Sequence, residues 1–67
     1  MKNNIKHLRN NLKISQEELA SKCHVSRQTI NAIENNKYDP TLSLAFKLAK
    51  NLSTTVDRLF TFEEETK

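Results

Sequence analysis

The sequence predicts an all-α fold of five short helices. Apolar residues recur at three- and four-residue spacing almost throughout the chain. Residues that cap helix N-termini, Ser15, Ser26 and Thr41, stand directly before these apolar runs. The 67 residues include no glycine and a single proline, Pro40, so little interrupts a helix interior.

The first helix is expected from about Asn4 to Leu12, with Ile5, Leu8 and Leu12 on one stripe. The second starts at Ser15, where Ser15-Gln16-Glu17-Glu18 reads as a capping box. Leu19 and Ala20 face inward, and the helix ends near Lys22 or Cys23. The third opens at Ser26 and turns Ile30 and Ile33 inward, supported by Val25 just before the cap. Asn35-Asn36-Lys37-Tyr38-Asp39-Pro40 is a loop of turn formers. Thr41 caps the fourth helix, in which Leu42, Ala45, Phe46, Ala49 and Leu52 repeat at helical spacing. Ser53-Thr54-Thr55 interrupts it. The fifth helix runs from Val56 to about Phe60, with Thr55, or else Thr54, as cap and Asp57 in the first turn. In the tail, residues 61–67, Phe60 and Phe62 flank Thr61 in the alternation of a short strand, while Glu63-Glu64-Glu65 reads as solvated.

One point in this series conflicts with its own chemistry. Between the second and third helices the chain reverses within Cys23-His24-Val25, and such a turn favours glycine at positive φ. His24 is the residue expected there, at a strain of about 1 kcal/mol.

Length and composition bound the function. Residues 1–67 make one domain, near the lower size limit for folding without staples. One cysteine excludes an intramolecular disulfide, and no Cys/His cluster has metal spacing, so no metal or cofactor is expected. No apolar run reaches the roughly 20 residues that span a bilayer, and Met1-Lys2-Asn3-Asn4-Ile5-Lys6 does not lead into a signal peptide. A cytoplasmic protein with no membrane partner is expected. Cys23 and His24 do not make a catalytic pair: adjacent side chains diverge, and no carboxylate is placed to orient the imidazole. A glycine-free chain also lacks every Gly-rich phosphate loop. The chain is therefore not expected to be an enzyme.

Charge points to a polyanion. Residues 1–56 carry nine Lys/Arg against four Asp/Glu, a net of +5, whereas residues 57–67 carry two against four, a net of −2. Within the basic body, Arg27, Gln28 and Asn31 share the outer face of the third helix, since positions three and four apart are neighbours. Arginine can donate twice to guanine O6 and N7, and Gln28 and Asn31 can pair with adenine N6 and N7. On periodicity alone, the same face reads equally well as a solvated one. Ser26 and Thr29 can reach phosphates by hydroxyl or amide. Lys37 and Tyr38 follow in the loop, with Tyr38 either on the DNA backbone or packed against the domain. Asp39 is repelled by phosphate and is left to brace the loop.

These residues resemble the Xre family of bacterial and phage regulators, the class of the phage repressors and Cro. The resemblance covers about residues 4–60 and is carried by Gln16, Leu19-Ala20, Val25-Ser26, Ile30, Ile33-Glu34, Lys37 and Pro40. Val25-Ser26-Arg27-Gln28-Thr29-Ile30-Asn31 and Asn36-Lys37-Tyr38-Asp39-Pro40-Thr41-Leu42 are similar to a compact subgroup of stand-alone repressors. The resemblance implies a five-helix, phage-repressor-like domain whose helix-turn-helix spans residues 16–35, with short terminal β-strands. It implies base contacts at Arg27 and Gln28, with Asn31 supported by the subgroup motif, and a phosphate contact at Gln16. Arg9 and Glu34 match an arginine and a glutamate that pair across the core of phage repressors. The implied function is sequence-specific regulation, as a homodimeric repressor on a palindromic operator in double-stranded DNA. The dimer interface is expected among Val56, Leu59, Phe60 and Phe62, with the alternative that Leu59 and Phe60 close the monomer core. Two departures from the family pattern, His24 and Ser53, stand where glycine is common. A protein-interaction module of the same fold is the competing reading, favoured by the acidic, aromatic tail.

Overall fold

The computed structural model describes residues 1–61. The order is β1 (Lys2–Asn3), α1 (Ile5–Asn11), α2 (Gln16–Cys23), α3 (Arg27–Glu34), α4 (Leu42–Asn51), α5 (Val56–Leu59) and β2 (Phe60–Thr61). The two strands pair antiparallel, Lys2 opposite Thr61 and Asn3 opposite Phe60. Phe60 thus belongs to a strand rather than to the end of the fifth helix. Asn4 fastens the same junction, its backbone N–H donating to Leu59 O at 2.9 Å and its Nδ2 to Arg58 O at 3.3 Å. Phe62 and the acidic run lie outside the described residues.

Hydroxyl caps start three of the helices. Ser15 Oγ accepts from Glu18 N at 3.0 Å, Ser26 Oγ from Thr29 N at 3.1 Å and Thr41 Oγ1 from Leu44 N at 3.2 Å. Each satisfies one of the donors a helix N-terminus leaves free. The capping box at Ser15 is half formed, since the exposed Glu18 side chain makes no return bond among the described residues. Thr55 precedes α5 without a side-chain cap bond.

The helix ends share one device. Lys13, His24, Asn36 and Ser53 all stand at positive φ, between 59° and 62°. At each, two backbone bonds close the helix behind it. For α2 these are Val25 N to Ala20 O and His24 N to Ser21 O; for α3 they are Lys37 N to Ala32 O and Asn36 N to Ile33 O. α1 ends alike through Ile14 N to Arg9 O and Lys13 N to Asn10 O, and α4 through Thr54 N to Ala49 O and Ser53 N to Lys50 O. This is the Schellman arrangement, whose left-handed residue is most often glycine. The strain expected at His24 is present, and it recurs at three further turns.

The core gathers Ile5, Leu19, Ala20, Cys23, Ile30, Ile33, Leu44, Ala45, Leu48, Ala49, Leu52, Leu59 and Phe60, with Leu8, Ile14, Val25 and Val56 packed at its edge. Two expectations are corrected here. Leu12 does not continue the α1 stripe: the helix stops at Asn11, Leu12 is exposed, and Ile14 beyond the turn packs on the core instead. On α4 the buried face is phased differently. Leu44 and Leu48 are inside, while Leu42 and Phe46 are 68% and 59% exposed. Both phases share Ala45, Ala49 and Leu52, so spacing alone does not choose between them; packing of α4 against α2 does. Among the described residues no helix is long and apolar enough to cross a membrane.

Candidate nucleic-acid interface

α2 and α3 meet across the tight turn at His24. Ile30 and Ile33 anchor α3 in the core, and this fixes which face of α3 looks outward. On that face Arg27, Gln28 and Asn31 are exposed. Arg27 and Gln28 carry no hydrogen bond or ion pair with another side chain among the described residues. A guanidinium and an amide held at the start of a rigid helix can present donors and acceptors to a groove at little cost in ordering the backbone.

A polar network runs beneath this face. Arg9 is among the buried residues, and its Nε and Nη2 donate to Glu34 Oε2 at 2.8 Å and Oε1 at 3.3 Å. Arg9 Nη1 also donates to Ile14 O at 3.0 Å. The ion pair is nearly buried, with side-chain exposures of 11% and 4%, and it joins α1 to the C-terminal end of α3. Gln16, the first residue of α2, donates from Nε2 to Glu34 Oε1 at 3.0 Å and to Asn31 Oδ1 at 3.2 Å. Both hydrogens of the Gln16 amide are therefore used inside the protein. A phosphate at this helix end would meet the backbone N–H groups that open α2 rather than the glutamine side chain.

The flanks are polar and open. Ser26 Oγ and Thr29 Oγ1 lie 3.0 Å apart, and Ser26 is exposed while Thr29 is half-buried. Lys37 and Tyr38 are exposed in the loop after α3. Asp39 braces that loop through the Met1 ammonium at 3.4 Å. Asn3 holds it from below, with Nδ2 2.8 Å from Ile33 O and 3.4 Å from Asn36 Oδ1.

The residues expected at a dimer interface separate. Leu59 is 0% exposed and Phe60 8%, because the β1–β2 pairing folds the end of α5 back onto the core. Both are removed from the candidate interface, and Phe62 is outside the described residues. Val56 is half-buried and lines a shallow groove with Phe46, Ala49, Lys50, Thr54 and Thr55. The exposed Leu42 and Phe46, one turn apart on α4, extend this apolar face. Sequence reading missed them as surface residues because it assigned them to the core.

Cys23 is buried, and burial pushes its thiol up from the ordinary range, opposed by a weak contact from Asn51 Nδ2 at 3.8 Å. Its neighbour His24 is exposed, and no hydrogen bond joins the two side chains among the described residues. Among the described residues no three His, Cys, Asp or Glu side chains cluster as metal ligands would.

A helix-turn-helix family model matches residues 5–59. An uncharacterized HTH-type transcriptional regulator of Methanocaldococcus jannaschii is 49% identical over 65 residues, spanning 97% of this chain and 98% of its own. The HTH-type transcriptional regulator YgzD of Bacillus subtilis, also uncharacterized, is 45% identical over 65 residues, again 97% and 98% of the two chains. Among solved structures, the hypothetical transcription factor NHTF from Neisseria superposes with a TM-score of 0.76 at 33% identity, covering 82% of this chain and 62% of that one.

Proposed function

The chain belongs to the helix-turn-helix family of transcriptional regulators, which implies DNA binding, and we propose that it acts as a homodimeric repressor reading a palindromic operator. The observation that carries this reading is the outer face of α3. Arg27, Gln28 and Asn31 project from a helix that Ile30 and Ile33 hold in the core. Set in the major groove, Arg27 and Gln28 reach base edges, while Ser26, Thr29, Lys37, Tyr38 and the backbone amide of Gln16 contact the phosphates on either side. Repression by covering a promoter is the simplest action for one small domain.

The partner subunit in this reading is a second copy seated on Leu42, Phe46 and Val56. Leu42 and Phe46 are apolar side chains that a monomer leaves to water, and the groove beside them supports this choice. Two copies related by a two-fold axis would set their α3 helices one DNA turn apart, about 34 Å.

The test is a mobility shift of the whole protein on DNA from upstream of its own gene, with footprinting, at two salt concentrations. Tight binding that falls steeply between about 50 and 200 mM salt is expected. Binding absent from every duplex, or indifferent to salt, overturns the reading in favour of a protein-interaction module. Sedimentation equilibrium tests the dimer: Phe46→Glu is expected to give a monomer, and an unchanged dimer would move the interface off α4.

A further inference from the structure

The amide network around α3 fixes which atoms Asn31 can offer to DNA. Two acceptor-only groups anchor it. Glu34, held by Arg9 on both oxygens, accepts at Oε1 from Gln16, which obliges Gln16 to turn its Nε2 inward. The same nitrogen lies 3.2 Å from Asn31 Oδ1. From the other side, Asn35 Nδ2 donates to the Asn31 backbone carbonyl at 2.8 Å, and that nitrogen also lies 3.2 Å from Asn31 Oδ1. Two N–H groups thus converge on one oxygen. Reversing the Asn31 amide would set nitrogen against nitrogen on both sides, so the orientation is dictated by the carboxylate at one end and the carbonyl at the other.

We infer that Asn31 reads DNA only as a donor and selects guanine over adenine. This rests on the proposed placement of α3 in the major groove. The pairing with adenine expected from residue type needs the asparagine oxygen to accept from adenine N6, and that oxygen is already filled from Gln16 and Asn35. Asn31 Nδ2 makes no hydrogen bond among the described residues, so its hydrogens are what the exposed side chain has left to offer. Guanine offers two adjacent acceptors, N7 and O6, in the major groove, whereas adenine sets its own N6 donor against the asparagine nitrogen. Gln16 and Asn35 act here as positioning residues: they touch no base in this reading but decide how Asn31 is read.

The experiment is selection from randomised duplexes with the whole protein, comparing wild type, Asn31→Ala and Asn35→Ala. In wild type, the position whose preference disappears in Asn31→Ala is expected to be a G·C pair. Replacing that guanine by 7-deazaguanine is expected to weaken wild-type binding about 5-fold or more and to leave Asn31→Ala unaffected. Asn35→Ala, which frees one side of the Asn31 oxygen, is expected to move the guanine-to-adenine ratio at that position toward one while the melting temperature stays near wild type. A purely structural role for Asn35 would not move that ratio. An A·T pair at the lost position, or no lost position in Asn31→Ala, overturns the inference and leaves reading by Arg27 and Gln28 standing. Failure of wild type to enrich any sequence overturns the proposed function itself.

Discussion

Asn3 joins the start of one helix to the end of another. Its Oδ1 accepts from Ile5 N at 3.1 Å, and its Nδ2 donates to Ile33 O at 2.8 Å. One side chain in β1 thereby caps α1 and closes the C-terminus of α3. Asn3→Asp keeps the shape and the acceptor but removes the donor. It is expected to lower stability by about 1 kcal/mol in urea denaturation, the worth of a typical hydrogen bond. Asn3→Asp with wild-type stability would mean that the contact to Ile33 contributes nothing.

Removing the left-handed strain is expected to raise stability. Lys13→Gly, His24→Gly and Ser53→Gly should each gain about 1 kcal/mol. In a domain of this size that corresponds to a rise in Tm of about 4–8 °C. Asn36→Gly should gain less, because asparagine tolerates this region better and its side chain also meets Asn3. Calorimetry on the four variants checks the series, and a lower Tm for His24→Gly would contradict the turn geometry.

The Arg9–Glu34 pair is expected to behave as a nearly buried ion pair. Arg9→Ala or Glu34→Gln alone should cost about 3–5 kcal/mol, since each leaves a partner without its counter-charge. The double substitution Arg9→Met with Glu34→Leu should cost less than the sum of Arg9→Met and Glu34→Leu made singly. A double-mutant cycle in urea measures the difference. Additive losses would mean that the two groups are not coupled.

Two substitutions separate base reading from backbone anchoring. Arg27→Ala is expected to cost about 1–3 kcal/mol on operator DNA and to relax one base position. Lys37→Ala should weaken operator and random DNA alike and reduce the salt slope by about one. Titrations on both DNAs check this, and equal losses for Arg27→Ala on the two would remove its role as a reader.

The parts of this fold that were legible in the sequence are those set by local chemistry. Ser15, Ser26 and Thr41 announce their helices because a hydroxyl three residues ahead of a free amide has one obvious use. The parts that were not legible depend on what lies across the chain. Leu42 and Leu44 both fit a helical stripe on α4, and only packing against α2 decides between them. Lys13 gives no sign of left-handed geometry, since the usual marker, glycine, is absent from the whole sequence, whereas Asn36 is of a type that tolerates it and stands among the turn formers of its loop. The pairing of β1 with β2 joins opposite ends of the described chain, and no window of residues contains it. At the candidate interface, residue type pointed to Arg27, Gln28 and Asn31. The filled oxygen of Asn31 followed only from Gln16, fifteen residues away, and Asn35.

The small sheet has a consequence for how long the molecule stays folded. The helices and their turns are built from contacts close in sequence, which form early, whereas the Lys2–Thr61 pairing closes a loop of nearly the whole described chain. A contact made after the folding barrier leaves the rate of folding almost untouched and slows the reverse step. In a domain with no disulfide to hold its ends, two strands of two residues each are expected to act as the latch on unfolding, so that Asn3→Pro should speed unfolding more than it slows folding in stopped-flow kinetics. The lifetime of α3 on its scaffold is then expected to be set at the termini, far along the chain from Arg27, Gln28 and Asn31.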